Sequence, residues 1–169
     1  MRTRTCVLFS IFLLVAAVIF IFVSCDNNGS AGHIIYDGTE YSLAAAYIEE
    51  VGIQNGAYGI SLAATSAGVD YEAMTGIGEA VWIAIFSPTL SLAVGTYNIS
   101  LTENPYTFND FWVMINYNAE TDVGDLYVTI SGTLTVTESG ADSVSFEFEV
   151  TLDNGKTCTG MYSGSVTIS

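Results

Sequence analysis

From residue 125 onward the chain alternates, and that alternation restricts its fold more than any other feature. Leu126, Val128, Ile130, Gly132, Leu134 and Val136 fall on one parity, while Tyr127, Thr129, Ser131, Thr133, Thr135 and Thr137 fall on the other. The same device repeats with Val144, Phe146, Phe148, Val150 and Leu152 against Ser143, Ser145, Glu147, Glu149, Thr151 and Asp153. It returns with Cys158, Gly160, Tyr162, Gly164, Val166 and Ile168 against a face of Thr, Ser and Met161. Successive side chains of a strand point to opposite faces, so a period of two marks a strand with one face buried and one wet. Three such strands joined by short turns predict an antiparallel meander.

The register of these turns follows from the requirement that directly opposed residues share a face. A two-residue Asn154-Gly155 loop would oppose Thr151 to Cys158, an outward residue to an inward one. A three-residue loop, Asp153-Asn154-Gly155 with Gly155 left-handed, closes on Leu152 and Lys156 and pairs Val150 with Cys158, Phe148 with Gly160 and Phe146 with Tyr162. The same reasoning applied to Glu138-Ser139-Gly140 closes Thr137 on Ala141 and predicts Gly132 opposite Phe146. Glycines facing large rings predict a strongly bent sheet.

Upstream, Asp37-Gly38 between two short β-prone runs is a hairpin signal. Further strands are expected around Tyr58 to Leu62, Val81 to Phe86, Thr96 to Ile99 and Phe111 to Tyr117. Two of these, Val81 to Phe86 and Phe111 to Ile115, are apolar on both faces and must be covered on both sides or present an interaction surface. The segment 43–50, with Ala44-Ala45-Ala46, has helix formers, but the preceding hairpin favours a strand. The expectation is an all-β domain, an antiparallel meander of about eight to ten strands closed as a barrel, lipocalin-like, or as a two-sheet sandwich. The Thr, Ser and Glu on the outward face of the last strands argue against an outer-membrane barrel.

The N-terminus is a different kind of sequence. Arg2 and Arg4 precede a run from Val7 to Val23 that is apolar except for Ser10. Charge, apolar core and small residues in that order describe a secretory signal; a run of this length is also near what a single membrane span needs. The tetrapeptide Phe22-Val23-Ser24-Cys25 resembles the box of bacterial lipoproteins, with Phe where Leu is usual. That resemblance implies a signal peptide over 1–24, lipidation of Cys25, a polar Gly-containing tether over 25–32 and a single β domain over 33–169. It implies an address at the bacterial cell envelope, as an outer-membrane lipoprotein held to the membrane by its N-terminal lipid. Beyond Cys25 only Lys156 remains of the Lys and Arg, against 18 Asp and Glu. This balance excludes a nucleic-acid partner, because phosphate binding needs Lys and Arg to displace counterions.

The candidate chemistry is sparse. Cys158 has no partner for an intramolecular disulfide once Cys6 and Cys25 are assigned to the signal and the lipid, and the single His33 sits at the end of the tether. No phosphate loop, dinucleotide fingerprint, zinc spacing or serine-histidine-acid set is present, so no cofactor is expected and the chain reads as non-enzymatic. Glu120, Asp122 and Asp125 cluster in one loop and are candidate Ca²⁺ ligands, without the full ligand series of a calcium loop. Glu147 and Glu149 lie on one outward face, where hydrolase chemistry would require a surrounding cleft. Trp82 and Trp112 carry more weight. Each sits on the parity opposite its strand's Val and Ile residues, where an aromatic either packs under a covering element or stacks a sugar ring or protein partner.

The turn and strand motifs Ser131-Gly132-Thr133-Leu134, Phe146-Glu147-Phe148, Asp153-Asn154-Gly155-Lys156-Thr157 and Gly160-Met161-Tyr162-Ser163-Gly164 resemble the C-terminal half of small envelope lipoproteins of the Bacteroidetes type. Tyr36-Asp37-Gly38-Thr39-Glu40-Tyr41 and Ala93-Val94-Gly95-Thr96-Tyr97 are similar as well. The resemblance implies a β-rich surface or periplasmic lipoprotein and carries no site residues. The expected function is non-catalytic: a binding or structural module for a glycan or protein partner through Trp82 and Trp112, or a carrier of a small apolar ligand inside a barrel.

Overall fold

The computed structural model describes residues 31–169. These form eleven strands: β1 (Gly32–Tyr36), β2 (Thr39–Leu43), β3 (Ala45–Gln54), β4 (Ala57–Thr65), β5 (Val69–Asp70), β6 (Thr75–Ser87), β7 (Gly95–Ile99), β8 (Thr107–Asn118), β9 (Val123–Ser139), β10 (Ser143–Leu152) and β11 (Thr157–Ile168). The domain is all-β. The segment 43–50 is extended, the end of β2 and the start of β3 with a break at Ala44, because Ala46 is buried between Ala64 of β4 and Val166 of β11, where a small side chain lets three backbones approach. Packing overrides the helix propensity of the alanines. The sheet also begins before residue 33, since the amide of Ala31 donates to the Leu43 carbonyl and its carbonyl accepts from Ser163.

The ladders close into a ring. β3 pairs β4, β4 pairs β6, β6 pairs β8, β8 pairs β9, β9 pairs β10, β10 pairs β11, and β11 returns to β3. Most pairs are antiparallel, as expected, but two are parallel: the closing pair, with Val166 beside Ala46 and Ile168 beside Ile48, and the pair of β7 with β8. β7 is wedged between β8 and β9 where these two strands part. The β1–β2 hairpin lies against the first half of β11, from Gly32 opposite Tyr162 to Tyr36 opposite Cys158. Its turn is Asp37-Gly38, both with positive φ, as a two-residue hairpin that follows the sheet twist requires.

Inside the ring, Phe108, Phe111, Phe146, Phe148 and Tyr162 are buried and in contact, with Phe111 edge-on to Phe148 at 4.8 Å and Phe146 stacked on Tyr162 at 5.8 Å. Each such side chain removed from water contributes roughly 1.5–3 kcal/mol. The long connection from Ser87 to Gly95 is held by one buried hydroxyl: Ser87 Oγ donates to the Ser91 carbonyl at 2.8 Å and accepts from the Ala93 amide at 3.1 Å.

The β10–β11 register is the one the alternation demands. Val150 faces Cys158, Phe148 faces Gly160 and Phe146 faces Tyr162, with Gly155 at φ 79° and the Leu152 amide donating to the Lys156 carbonyl. The β9–β10 register differs from expectation. Val144 opposes Ser139, the turn occupies Gly140–Asp142, and Gly132 opposes Val150 instead of Phe146. From Ser131 to Val136 the offset is four residues and preserves the faces, which is why alternation could not detect it; nearer the turn Thr137 is an extra residue, a β-bulge, and the offset is five.

A second correction lies within β9. Thr151 opposes Ser131 but Leu152 opposes Thr129, so Ile130 is an extra residue, a β-bulge. The bulge reverses the faces before it. Tyr127 packs against the core and Thr129 is buried, whereas Leu126 and Ile130, expected inward, are exposed.

Candidate functional site

The outer face of β6 and β8 carries the site. On their inner faces Val81, Ile83 and Ile85 oppose Val113, Phe111 and Phe108 in turn and are fully buried, which satisfies the core. The opposite parity places Trp82 directly across from Trp112, with ring centroids 4.9 Å apart and planes at 43°. The pair continues across β8 to Val128, and the next row runs from Ala80 through Met114 to Leu126. Leu126 belongs to this face only because the Ile130 bulge turns it outward.

Two excursions of the chain build walls on this floor. Between β4 and β6 the segment bearing β5 folds back and pairs with the start of β6, Val69 opposite Gly76. Gly76 has φ +94° and its α-carbon lies so close to this segment that an added Cβ would stand 3.4 Å from the Val69 Cα and closer still to the Gly68 backbone. The excursion brings Val69, Tyr71 and Met74 over the tryptophans, and the end of the β8–β9 hairpin supplies Tyr117 from β8, Asp122 from the turn and Val123 from β9. The enclosed cleft is about 580 Å³, open to solvent, a size that suits a drug-sized ligand. Trp82 is half-buried and fixed by its Nε1, which donates to Ser61 Oγ at 2.8 Å. Trp112 is 36 % exposed and forms the accessible surface of the pair.

The cleft is acidic and aromatic. Tyr117 donates its hydroxyl to Asp122 Oδ1 at 3.1 Å, and burial first, then the Asp122 carboxylate, push the Tyr117 phenol up. A smaller cleft of about 180 Å³ shares Trp82 and is lined by Asp110. Another, of about 360 Å³, shares Tyr71, whose ring lies tilted against Tyr47 at 5.1 Å, and is lined by Glu49 and Glu72. No Lys, Arg or His lines any of the three. Among the described residues the only Lys or Arg, Lys156, is engaged with Asp37 Oδ2 at 2.6 Å and lies over the Tyr36 ring at 5.4 Å.

Of the residues singled out from the sequence, Trp82 and Trp112 are brought together. Glu120 and Asp122 lie in the β8–β9 connection and Asp125 in β9 opposite Ile115, and among the described residues no group of three His, Cys, Asp or Glu side chains is placed to hold a metal ion. The turn is organised internally instead, with Asn118 Oδ1 accepting from the amides of Glu120 and Thr121, while Asp122 serves the cleft wall. Glu147 and Glu149 stand exposed on β10 opposite Thr135 and Thr133. Cys158 is fully buried, and burial pushes its thiol up to about 12. Cys25 lies outside the described residues. Tyr71, Met74 and Val69 were not singled out from the sequence, and nothing in their spacing points to the tryptophans; Leu126 was assigned to the wrong face by strict alternation.

No protein-family model matches the chain, and no curated protein and no solved structure matches it either.

Proposed function

We propose that this protein is a lipid-anchored, non-catalytic binding module of the bacterial cell envelope, of the Bacteroidetes-type kind its motifs resemble, and that it takes its ligand in the outer-face cleft. The observation that carries the reading is the opposed Trp82–Trp112 pair at the floor of an open cleft of about 580 Å³. A pair of large apolar rings left partly wet is costly for a domain that already has a filled interior, and such surface marks recognition. The close packing of Phe108, Phe111, Phe146 and Tyr162 inside the ring favours a ligand outside it over one carried within. The anchor rests on the sequence before residue 26.

A second reading, a carbohydrate stacked on the exposed face of Trp112, is favoured by that ring's exposure. The chain holds two tryptophans in all, and both are in the cleft, so intrinsic fluorescence reports on the site directly. Titration with a panel of soluble glycans and small apolar organic molecules is expected to find a ligand that shifts the emission, with Trp112→Ala weakening it by about tenfold or more. If no glycan, apolar molecule or organic cation shifts the emission, the cleft is not a binding site. For the anchor, mass spectrometry of the native protein is expected to show acylated Cys25 as the first residue, and Cys25→Ser to leave the protein out of the membrane fraction. A retained Met1 contradicts the anchor.

A further inference from the structure

The proposal that the cleft binds a ligand leaves open what kind, and the charge of its surroundings narrows the choice. We infer that the ligand is an organic cation, a tertiary or quaternary alkylammonium, held over the aromatic floor and facing Asp122; the inference rests on the binding reading above. Four aromatic rings line the cleft, Trp82, Trp112, Tyr71 and Tyr117, and the negative faces of such rings attract a cation within about 6 Å of their centroids. Met74 and Met114 add polarisable thioethers that pack against methyl groups without hydrogen-bonding demands.

Charge complementarity selects the sign. Asp122 is in the wall, Asp110 stands two residues from Trp112 on the same strand and lines the adjoining cleft, and Glu49 and Glu72 line the cleft beyond Tyr71. No basic side chain lines any of these surfaces, and Lys156 is committed to Asp37. The whole chain has a formal charge of −15, so the field that draws a cation toward the cleft repels an anion. A neutral sugar is less well served. Its ring would find a stacking surface, but its hydroxyls would meet few polar side chains: Thr65, the two tyrosines and an Asp122 already accepting from Tyr117. An alkylammonium group asks for rings and a carboxylate, and both are present.

The test uses the full chain in polyoxyethylene-detergent micelles, with tryptophan emission as the readout. The probes are choline, its uncharged carbon isostere 3,3-dimethyl-1-butanol, and cellohexaose. Choline is expected to bind at least tenfold more tightly than the isostere, to weaken several-fold in Asp122→Asn, and to weaken as salt rises. Trp112→Phe, which keeps an aromatic face, is expected to retain more affinity than Trp112→Ala. Equal binding of choline and its isostere overturns the cation inference while leaving an apolar binding cleft. Binding of cellohexaose without choline overturns it in favour of the sugar. Failure of all three probes, together with the wider panel, removes both the inference and the binding reading on which it rests.

Discussion

At the scale of single residues, the clearest constraint is Gly160. It lies under the Phe148 ring, where an added Cβ would stand 2.5 Å from Phe148 Cζ and 2.8 Å from the backbone oxygen of His33. The ring is buried edge-on to Phe111, and the backbone of β1 cannot give way without unzipping its ladder with β11. Gly160→Ala is therefore expected to destabilise the fold by about 1–3 kcal/mol, read as a lowered urea midpoint with an unchanged slope. An unaffected midpoint would mean that β1 is not held against β11 as described. This contact was legible in the sequence. Once the three-residue Asp153-Asn154-Gly155 loop is chosen over the two-residue loop that mismatches the faces, Gly160 meets Phe148, because turn length then fixes the register. Trp82 and Trp112 were legible in the same way, as apolar side chains on the wrong parity for their strands.

At the scale of elements, β9 decides whether the site exists. With strict alternation, Leu126 would point into the core and leave the cleft without its end. The Ile130 bulge turns it outward, and the cost is an exposed Ile130 and a buried Thr129. The face switch predicts unequal effects for two chemically identical substitutions on the same strand. Leu134→Ala, at a fully buried position, is expected to cost about 2–5 kcal/mol, and Leu126→Ala, at 49 % exposure, under about 1 kcal/mol. Comparable losses measured by chemical denaturation would place Leu126 in the core and dissolve this wall of the cleft. The bulge was not legible, because an extra residue that shifts parity leaves no mark in a pattern whose outward face is Thr and Ser and whose inward face already includes a glycine. The four-residue offset of Ser131–Val136 against β10 escaped for the opposite reason, since it conserves parity. The Val69–Met74 wall is a product of where β5 folds back, a tertiary event with no local period.

At the scale of the whole molecule, the ring buries groups that must stay neutral. Burial pushes the Cys158 thiol from an ordinary value of 9.0 up to about 12, and pushes the phenols of Tyr97 and Tyr162 upward as well. In the unfolded chain these groups ionise at their ordinary values, while the folded chain holds their protons further into alkali. The unfolded state thus loses protons first, and stability, complete below about pH 9, falls as pH climbs toward about 12. Urea midpoints measured between pH 8 and pH 11 are expected to decline, and Cys158→Ala to flatten part of that decline. A midpoint that stays level across this range would contradict the burial of these side chains. The closing pair of parallel strands also sets an order of events in time. The edge of β3 stays unmatched until residues 166–168 have been made, so a nascent chain carries an open, hydrogen-bond-hungry border from the completion of β3 until β11 emerges. Such a chain assembles slowly, as topologies built on distant partners do, and its window of vulnerability to strand-to-strand association with another copy ends only when the seam is sewn.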